Sequence, residues 1–232
     1  MKILLGCPTS EHKAYCLEPY IKAIKSLTYP NYDILLIDNS QTKDYYKKIR
    51  SYNIPVIKDK YQEYARDRII HSRNILRKHV LDNKYDYLFS LEQDVIPPKD
   101  ILERLLSHKK QIISGVYYKK VYITLDNQEI TKITPLLWKI TQEDKKHNLM
   151  TYLTDEELEQ SNLLKVDVCG LGCLLIHKDV LQKIKFRYEK QEKAFDDVWF
   201  CKDVSKQDFQ IFADPTLKCK HLTEGMDWNI KQ

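Results

Sequence analysis

Glu92 and Asp94 stand one residue apart where an apolar run, Tyr-Leu-Phe-Ser-Leu, gives way to Val-Ile-Pro-Pro, inside the stretch Tyr85–Pro98. The run is short and rich in Tyr, Leu and Phe, which reads as a buried strand. Alternate side chains of a strand point the same way, so the two carboxylates bring their oxygens near one point. The chemistry that fits is a divalent cation held by one or two carboxylates and shared with a phosphate. Asp38 closes a second apolar run, Asp-Ile-Leu-Leu-Ile-Asp, in the same manner. Asp196 and Asp197 precede Val-Trp-Phe-Cys, where acids favour a helix start through its free N–H groups and dipole. Gly170 and Gly172 flank one apolar residue, a pattern for a close backbone approach to a ligand or for a tight bend.

The elements that must position these residues alternate. Lys2 to Gly6 is a strand, followed by the loop Cys7-Pro8-Thr9-Ser10-Glu11. Leu17, Tyr20, Ile21, Ile24 and Leu27 then share one helical face. Asp33 to Asp38 is a strand, Lys43 to Arg50 a helix, and Ile54 to Lys58 a strand. Glu63 to Asp82 is a longer helix that directs Ala65, Ile69, Leu76 and Val80 to the core and carries Arg66, Arg68, Arg73 and Arg77 elsewhere. The strand tipped by Glu92 and Asp94 follows, then a helix with Asp100 as its N-cap, and a strand from Gln111 to Lys119. Residues 120 to 163 are polar and aperiodic around short β-like pieces such as Ile133 to Ile140, with a small helix at Asp155 to Ser161. Regular strands and helices return from Leu164, with a helix opening at Asp196 and a strand from Phe209 to Ala213. This alternation predicts an α/β fold whose mainly parallel sheet is covered by helices on both faces. No internal repeat is present.

Composition narrows the class. The 232 residues are 43% hydrophobic and 31% charged, as in an ordinary globular chain, and suffice for one large domain. A net charge of +5 is spread rather than blocked. The basic helix from Arg66 to Lys78 lacks an aromatic stacking platform, which sets nucleic-acid binding aside. Six Cys lack metal-type C-x-x-C spacing and read as buried free thiols of a reducing compartment, so the expected location is cytoplasmic. The apolar stretch before Cys7 is too short for a signal peptide, and no run reaches transmembrane length.

The ordered set of blocks resembles the GT-A fold glycosyltransferases that use nucleotide sugars, close to the family 2 type. It comprises strand one running into Pro8-Thr9-Ser10-Glu11, the strand ending at Asp38, Ser72-Arg73-Asn74, Leu-Glu-Gln-Asp-Val-Ile-Pro-Pro, and Val-Asp-Val-Cys-Gly-Leu-Gly-Cys-Leu-Leu-Ile-His. Asp-Asp-Val-Trp-Phe-Cys and then Asp-Pro-Thr-Leu-Lys-Cys-Lys-His complete it. The resemblance implies one domain over residues 1–232, with a nucleotide-binding half (1–119) and an acceptor-binding half (120–232). It implies a UDP- or GDP-sugar donor and a glycan, protein or small-molecule acceptor. Pro8, Thr9, Glu11, Asp38, Arg73, Glu92 and Gln93 would contact the nucleotide. Glu92-Gln93-Asp94 would be a variant D-x-D motif, with Asp94 and His221 as ligands to Mn²⁺ or Mg²⁺. Gly170, Gly172 and Trp199 would lie by the donor or acceptor sugar. Asp197 would be the general base of an inverting displacement, a role typically worth roughly 100- to 10,000-fold in rate. Asp196 is the other candidate, and one of the two would serve as the helix cap.

Two other readings compete. A sugar nucleotidyltransferase would want a Gly-rich phosphate loop after strand one, and Cys-Pro-Thr-Ser-Glu-His-Lys has no Gly. A non-catalytic binding module would keep the fold without turnover, yet every acid stands at its expected place.

Overall fold

The computed structural model of the protein describes residues 1–125, 128–143, 148–192 and 194–223. In chain order the elements are β1 (Ile3–Thr9), a 3₁₀ turn (Glu11–Cys16), α1 (Leu17–Lys25), β2 (Tyr32–Asp38), α2 (Asp44–Ser51), β3 (Val56–Lys58), α3 (Ala65–Asp82) and β4 (Tyr87–Leu91). They continue with β5 (Val95–Ile96), α4 (Ile101–Ser107), β6 (Ile112–Val116), β7 (Tyr118–Leu125), β8 (Gln128–Pro135), β9 (Leu137–Glu143), β10 (Asn148–Tyr152) and α5 (Asp155–Glu159). The last are β11 (Leu164–Val166), β12 (Val168–Cys169), β13 (Cys173–His177), α6 (Lys178–Lys183), α7 (Asp196–Lys206), β14 (Ile211–Lys218) and β15 (Lys220–His221).

An eight-stranded sheet in the order β11-β14-β6-β13-β4-β1-β2-β3 forms the centre. β3, β2, β1 and β4 are parallel, β13 is antiparallel between β4 and β6, and β14 returns parallel to β6. Buried apolar side chains alternate between two clusters. Leu4, Leu35, Ile37 and Leu88 pack with Leu76 and Val80 of α3 and with Phe200 and Val204 of α7. Ile3, Leu5, Leu36 and Phe89 pack with Leu17, Tyr20 and Ile24 of α1, with Ile49 of α2 and with Leu102 of α4. Each fully buried Leu, Ile or Phe contributes about 1.5–3 kcal/mol over its exposed state. The expected doubly covered, mainly parallel sheet is present.

Register places the site. Thr9 of β1 pairs with Asp38 of β2, and Gly6 pairs with Ser90 of β4, so the carboxyl ends of three strands share one edge. α3 lies against β1 so closely that a Cβ on Gly6 would stand 2.9 Å from Leu76 Cδ2. β15 pairs antiparallel with β5, setting His221 opposite Val95 and beside the end of β4.

Three local expectations change. Leu76 and Val80 are buried, but Ala65 is exposed and Ile69 half-buried, because the first turns of α3 overhang a cleft. Asp100 precedes α4 without a capping bond, since its backbone (φ −93°, ψ 17°) departs from the extended conformation a cap needs. The segment expected to be loose is built of hairpins: β7 pairs with β8 and β9 with β10. Exposed Tyr122 and Ile130 show why the period-two signal was hidden, as these ribbons turn apolar side chains to solvent. Thr154 closes a capping box with Glu157 at the start of α5. Among the described residues no helix is long and apolar enough to cross a membrane.

Candidate active site

A cleft of about 390 Å³ opens over the carboxyl ends of β1 and β4. Its walls include Pro8 and Thr9 at the end of β1, His12 and Lys13 in the 3₁₀ turn after it, Asn39 after β2, and Ile69 and Arg73 on α3. Glu92 and Gln93 after β4, Asp196 and Asp197 at the start of α7, and His221 on β15 also face it.

One end is built on Asp94. The residue is 2% exposed, and its backbone carbonyl accepts from Leu222 N at 2.6 Å, which ties the end of β4 to β15. Its Oδ2 meets Lys13 Nζ and lies 3.3 Å from His221 Nε2, while its Oδ1 is buried with no hydrogen-bond partner among the described residues. His221 Nδ1 is 2.7 Å from the Tyr118 carbonyl, which can only accept, so that nitrogen carries a proton. With the ring doubly protonated, Nε2–H donates to Asp94. With the ring neutral, two lone pairs face one another, an arrangement that a cation between them relieves. Burial alone would raise the Asp94 pKa, yet the His221 contact and the Lys13 ammonium bring it down to about 2. An imidazole and a carboxylate with an unused oxygen fit Mn²⁺ or Mg²⁺, which commonly takes its other ligands from water and substrate phosphate. Among the described residues no group of three or more His, Cys, Asp or Glu forms a closed cage.

The other end is built on α7. Asp196 is buried and pairs with Arg73, Nε to Oδ2 at 2.6 Å. Asp197 makes no ion pair among the described residues, and its Oδ1 accepts from Val198 N at 2.8 Å. Burial, with the Asp196 charge adding to it, lifts the Asp197 pKa from 3.8 to about 6. The structure thus gives the two adjacent acids different surroundings, where the sequence offered Asp197 first and Asp196 as the other candidate.

Arg73 joins the two ends. It is 3% exposed and donates to Ser90 Oγ at 2.8 Å and to Glu92 Oε1 at 2.7 Å while also meeting Asp196. Burial works against ionising Glu92 and Arg73 works for it; with Asp94 adding repulsion, the Glu92 pKa is raised. Of the four arginines on α3, Arg77 instead donates to the carbonyls of Leu181 and Ile184 and ends α6.

The remaining sequence candidates divide. Pro8 and Thr9 reach the cleft, and Glu11 is an exposed residue of the 3₁₀ turn outside its wall. Gln93 lines the cleft but spends its amide on the fold, accepting from Thr9 Oγ1 and Tyr45 Oη and donating to the Lys13 carbonyl. Asp38 is fully buried behind Asn39; Ser40 N and Oγ donate to its Oδ1, and Lys58 stands 3.6 Å from Oδ2. The close approach expected at Gly170 and Gly172 is made by Tyr117, not by a ligand. A Cβ on Gly170 would sit 2.1 Å from Tyr117 Oη, one on Gly172 2.6 Å, and Gly172 N donates to that oxygen at 2.9 Å. Tyr117 and Leu171, the residue between the glycines, reach the cleft wall. Trp199 lies outside the wall, its ring between Arg187 and Lys202 at 4.6 and 4.5 Å. Sequence reasoning missed Tyr117 and Lys13; the paired glycines were the signal for the first, and nothing marked the second.

The model of the glycosyl transferase family 2 matches residues 12–185, and the chain belongs to that family. Among solved structures it is similar to A197 from STIV, at 17% identity and a TM-score of 0.51, over 97% of this chain and 87% of that one. It is also similar to GalNAc-T7 with UDP, GalNAc and Mn²⁺, at 11% identity and a TM-score of 0.63, over 95% of this chain and 44% of that one. The mannosyltransferase PcManGT from Pyrobaculum calidifontis, in complex with GDP-Man and Mn²⁺, matches at 11% identity and a TM-score of 0.65, over 99% of this chain and 59% of that one. The chain therefore spans less than two thirds of these last two proteins. These likenesses show the GT-A fold. No curated protein matches the chain.

Proposed function

We propose that the protein is a metal-dependent glycosyltransferase that moves a sugar from a UDP- or GDP-linked donor to an acceptor hydroxyl, with inversion. The carrying observation is a pair of unlike carboxylates at one cleft: Asp94, held charged behind the lining residues Lys13 and His221, and Asp197, a lining residue lifted to about 6 beside Arg73-bound Asp196. Transfer builds negative charge on the departing diphosphate and frees a proton from the attacking hydroxyl. Mn²⁺ or Mg²⁺ on Asp94 and His221, when bound, would supply charge neutralisation at the diphosphate. The nucleotide would lie along the ends of β1 and β2, with Asn39 and the buried Asp38 at the base end. Arg73 holds Glu92 and Asp196 in fixed positions, so the cleft is preorganised before substrate arrives. Asp197 takes the hydroxyl proton, and a pKa near 6 leaves it mostly unprotonated yet basic at neutral pH. Residues 1–119 serve the nucleotide and residues 120–232 serve the acceptor, which is a glycan, a protein or a small molecule. Six buried free thiols accord with a cytoplasmic setting.

The test is turnover of a panel of UDP- and GDP-sugars with Mn²⁺, followed by release of the nucleoside diphosphate, with water accepting the sugar where no acceptor is supplied. NMR of the first-formed sugar reads the anomer. The expected result is metal-dependent release from one donor class with inverted configuration. No release from any donor by a folded sample, or a retained anomer, counts against the reading.

A further inference from the structure

We propose that Lys13 is the resident counter-ion of the Asp94 site, holding the place of the divalent cation until a nucleotide arrives and then passing to the diphosphate. The inference rests on the donor-binding reading above and adds a residue to it. Lys13 Nζ contacts the same Asp94 oxygen that faces His221 Nε2, so an ammonium already occupies the carboxylate oxygen a cation on Asp94 and His221 would use. The Asp94 side chain is 3% exposed, whereas that of Lys13 is 39% exposed and lines the cleft. The backbone beneath it is fixed: Lys13 N donates to the Ser10 carbonyl at 2.9 Å, and the Lys13 carbonyl accepts from Gln93 Nε2 and from Cys16 Sγ. A pinned main chain with a four-carbon stem and three rotatable donors can change partner without moving its turn.

Charge decides the order of events. Asp94 and Lys13 together are neutral, so a divalent cation arriving alone meets an ammonium on the same oxygen and must displace it into the open cleft. A cation arriving with a diphosphate brings several negative charges, and the displaced ammonium gains a better anion than the one it leaves. Asp94 Oδ1, without a hydrogen-bond partner among the described residues, is a second oxygen for that cation. Metal and nucleotide then bind with positive coupling, and the coupling is reciprocal.

The test is calorimetric titration of Mn²⁺ into the nucleotide-free protein, then of UDP or GDP into the Mn²⁺-saturated protein, for wild type and Lys13→Met. Roughly tenfold tighter Mn²⁺ binding and roughly tenfold weaker nucleotide binding are expected in the variant, the scale of one half-buried ion pair. Lys13→Gln, neutral but able to donate to Asp94, is expected to follow in the same direction and serves if the methionine variant does not fold. Unchanged or weaker Mn²⁺ binding in a folded neutral variant overturns the role of Lys13. A wild type that takes up Mn²⁺ but no nucleoside diphosphate fails the donor-binding reading instead, and with it the handover to the diphosphate.

Discussion

At the end of β4, Asp94 is a carboxylate among cations; at the start of α7, Asp197 is a carboxylate beside another acid. Both are largely withdrawn from water, and burial pushes both toward the protonated form. At Asp94 the imidazole of His221 and the ammonium of Lys13 outweigh it, and the pKa falls to about 2. At Asp197 the cation that acts on it, Arg73, is already paired with Asp196 and Glu92, and the pKa rises to about 6. A carboxylate that stays charged at neutral pH suits a cation and a phosphate. One poised near neutrality suits proton transfer. Two chemical roles come from one side-chain type because its neighbours differ.

The comparison can be broken at its α7 end. Asp197→Asn removes the proposed proton acceptor while keeping shape and the bond from Val198, so turnover is expected to fall roughly 100- to 10,000-fold. Nucleotide affinity should stay within about twofold, a gap of a few tenths of a kcal/mol. Equal losses in binding and turnover would make Asp197 a helix cap. The next effect is on the joint between the ends. Arg73→Met strands buried Asp196 and leaves Glu92 without its cation, a defect of about 3–5 kcal/mol. Thermal melting should show a drop of roughly 10 °C for a chain of this size, and the Asp197 titration should move further up, because Arg73 is among the groups holding it down.

The smallest effect is on pH. As pH falls through about 6, Asp197 gains a proton and kcat/KM should drop about tenfold per unit, with Asp94 still charged. The stability signs are opposite. Between 3.8 and about 6 the folded chain holds the Asp197 proton more firmly than the unfolded one, so that contribution declines as pH rises through this window. Asp94 contributes stability above 3.8 that is lost as pH falls toward 2. A pH–rate profile whose lower limb lies near 4 would remove the contrast between the two acids.

Much of this was legible in the chain, and the limits are physical. Apolar runs of four to six residues separated by helical periodicity carry the sheet order's parallel half, because strands buried on both faces must be continuously apolar. The tips of those runs mark the cleft. Sequence could not say which arginine of α3 is buried, since Arg66, Arg68, Arg73 and Arg77 share a helix and only Ser90, Glu92 and Asp196 across the fold select Arg73. Nor could it separate Asp196 from Asp197, whose directions differ by about 100° of helix rotation. The paired glycines pointed correctly to a close approach, but its partner, Tyr117, lies far back in the chain. Lys13 sits in a loop turn where no periodicity gives it a direction.

The most direct test of the unlike ends is calorimetric titration of UDP and GDP, with and without Mn²⁺, into wild type and Asp94→Asn. One nucleotide should bind wild type tightly only with Mn²⁺, and Asp94→Asn should erase the metal's benefit. Equal affinity with and without Mn²⁺, or an Asp94→Asn protein that keeps the metal effect, would contradict the assignment of Asp94 to the cation and the diphosphate.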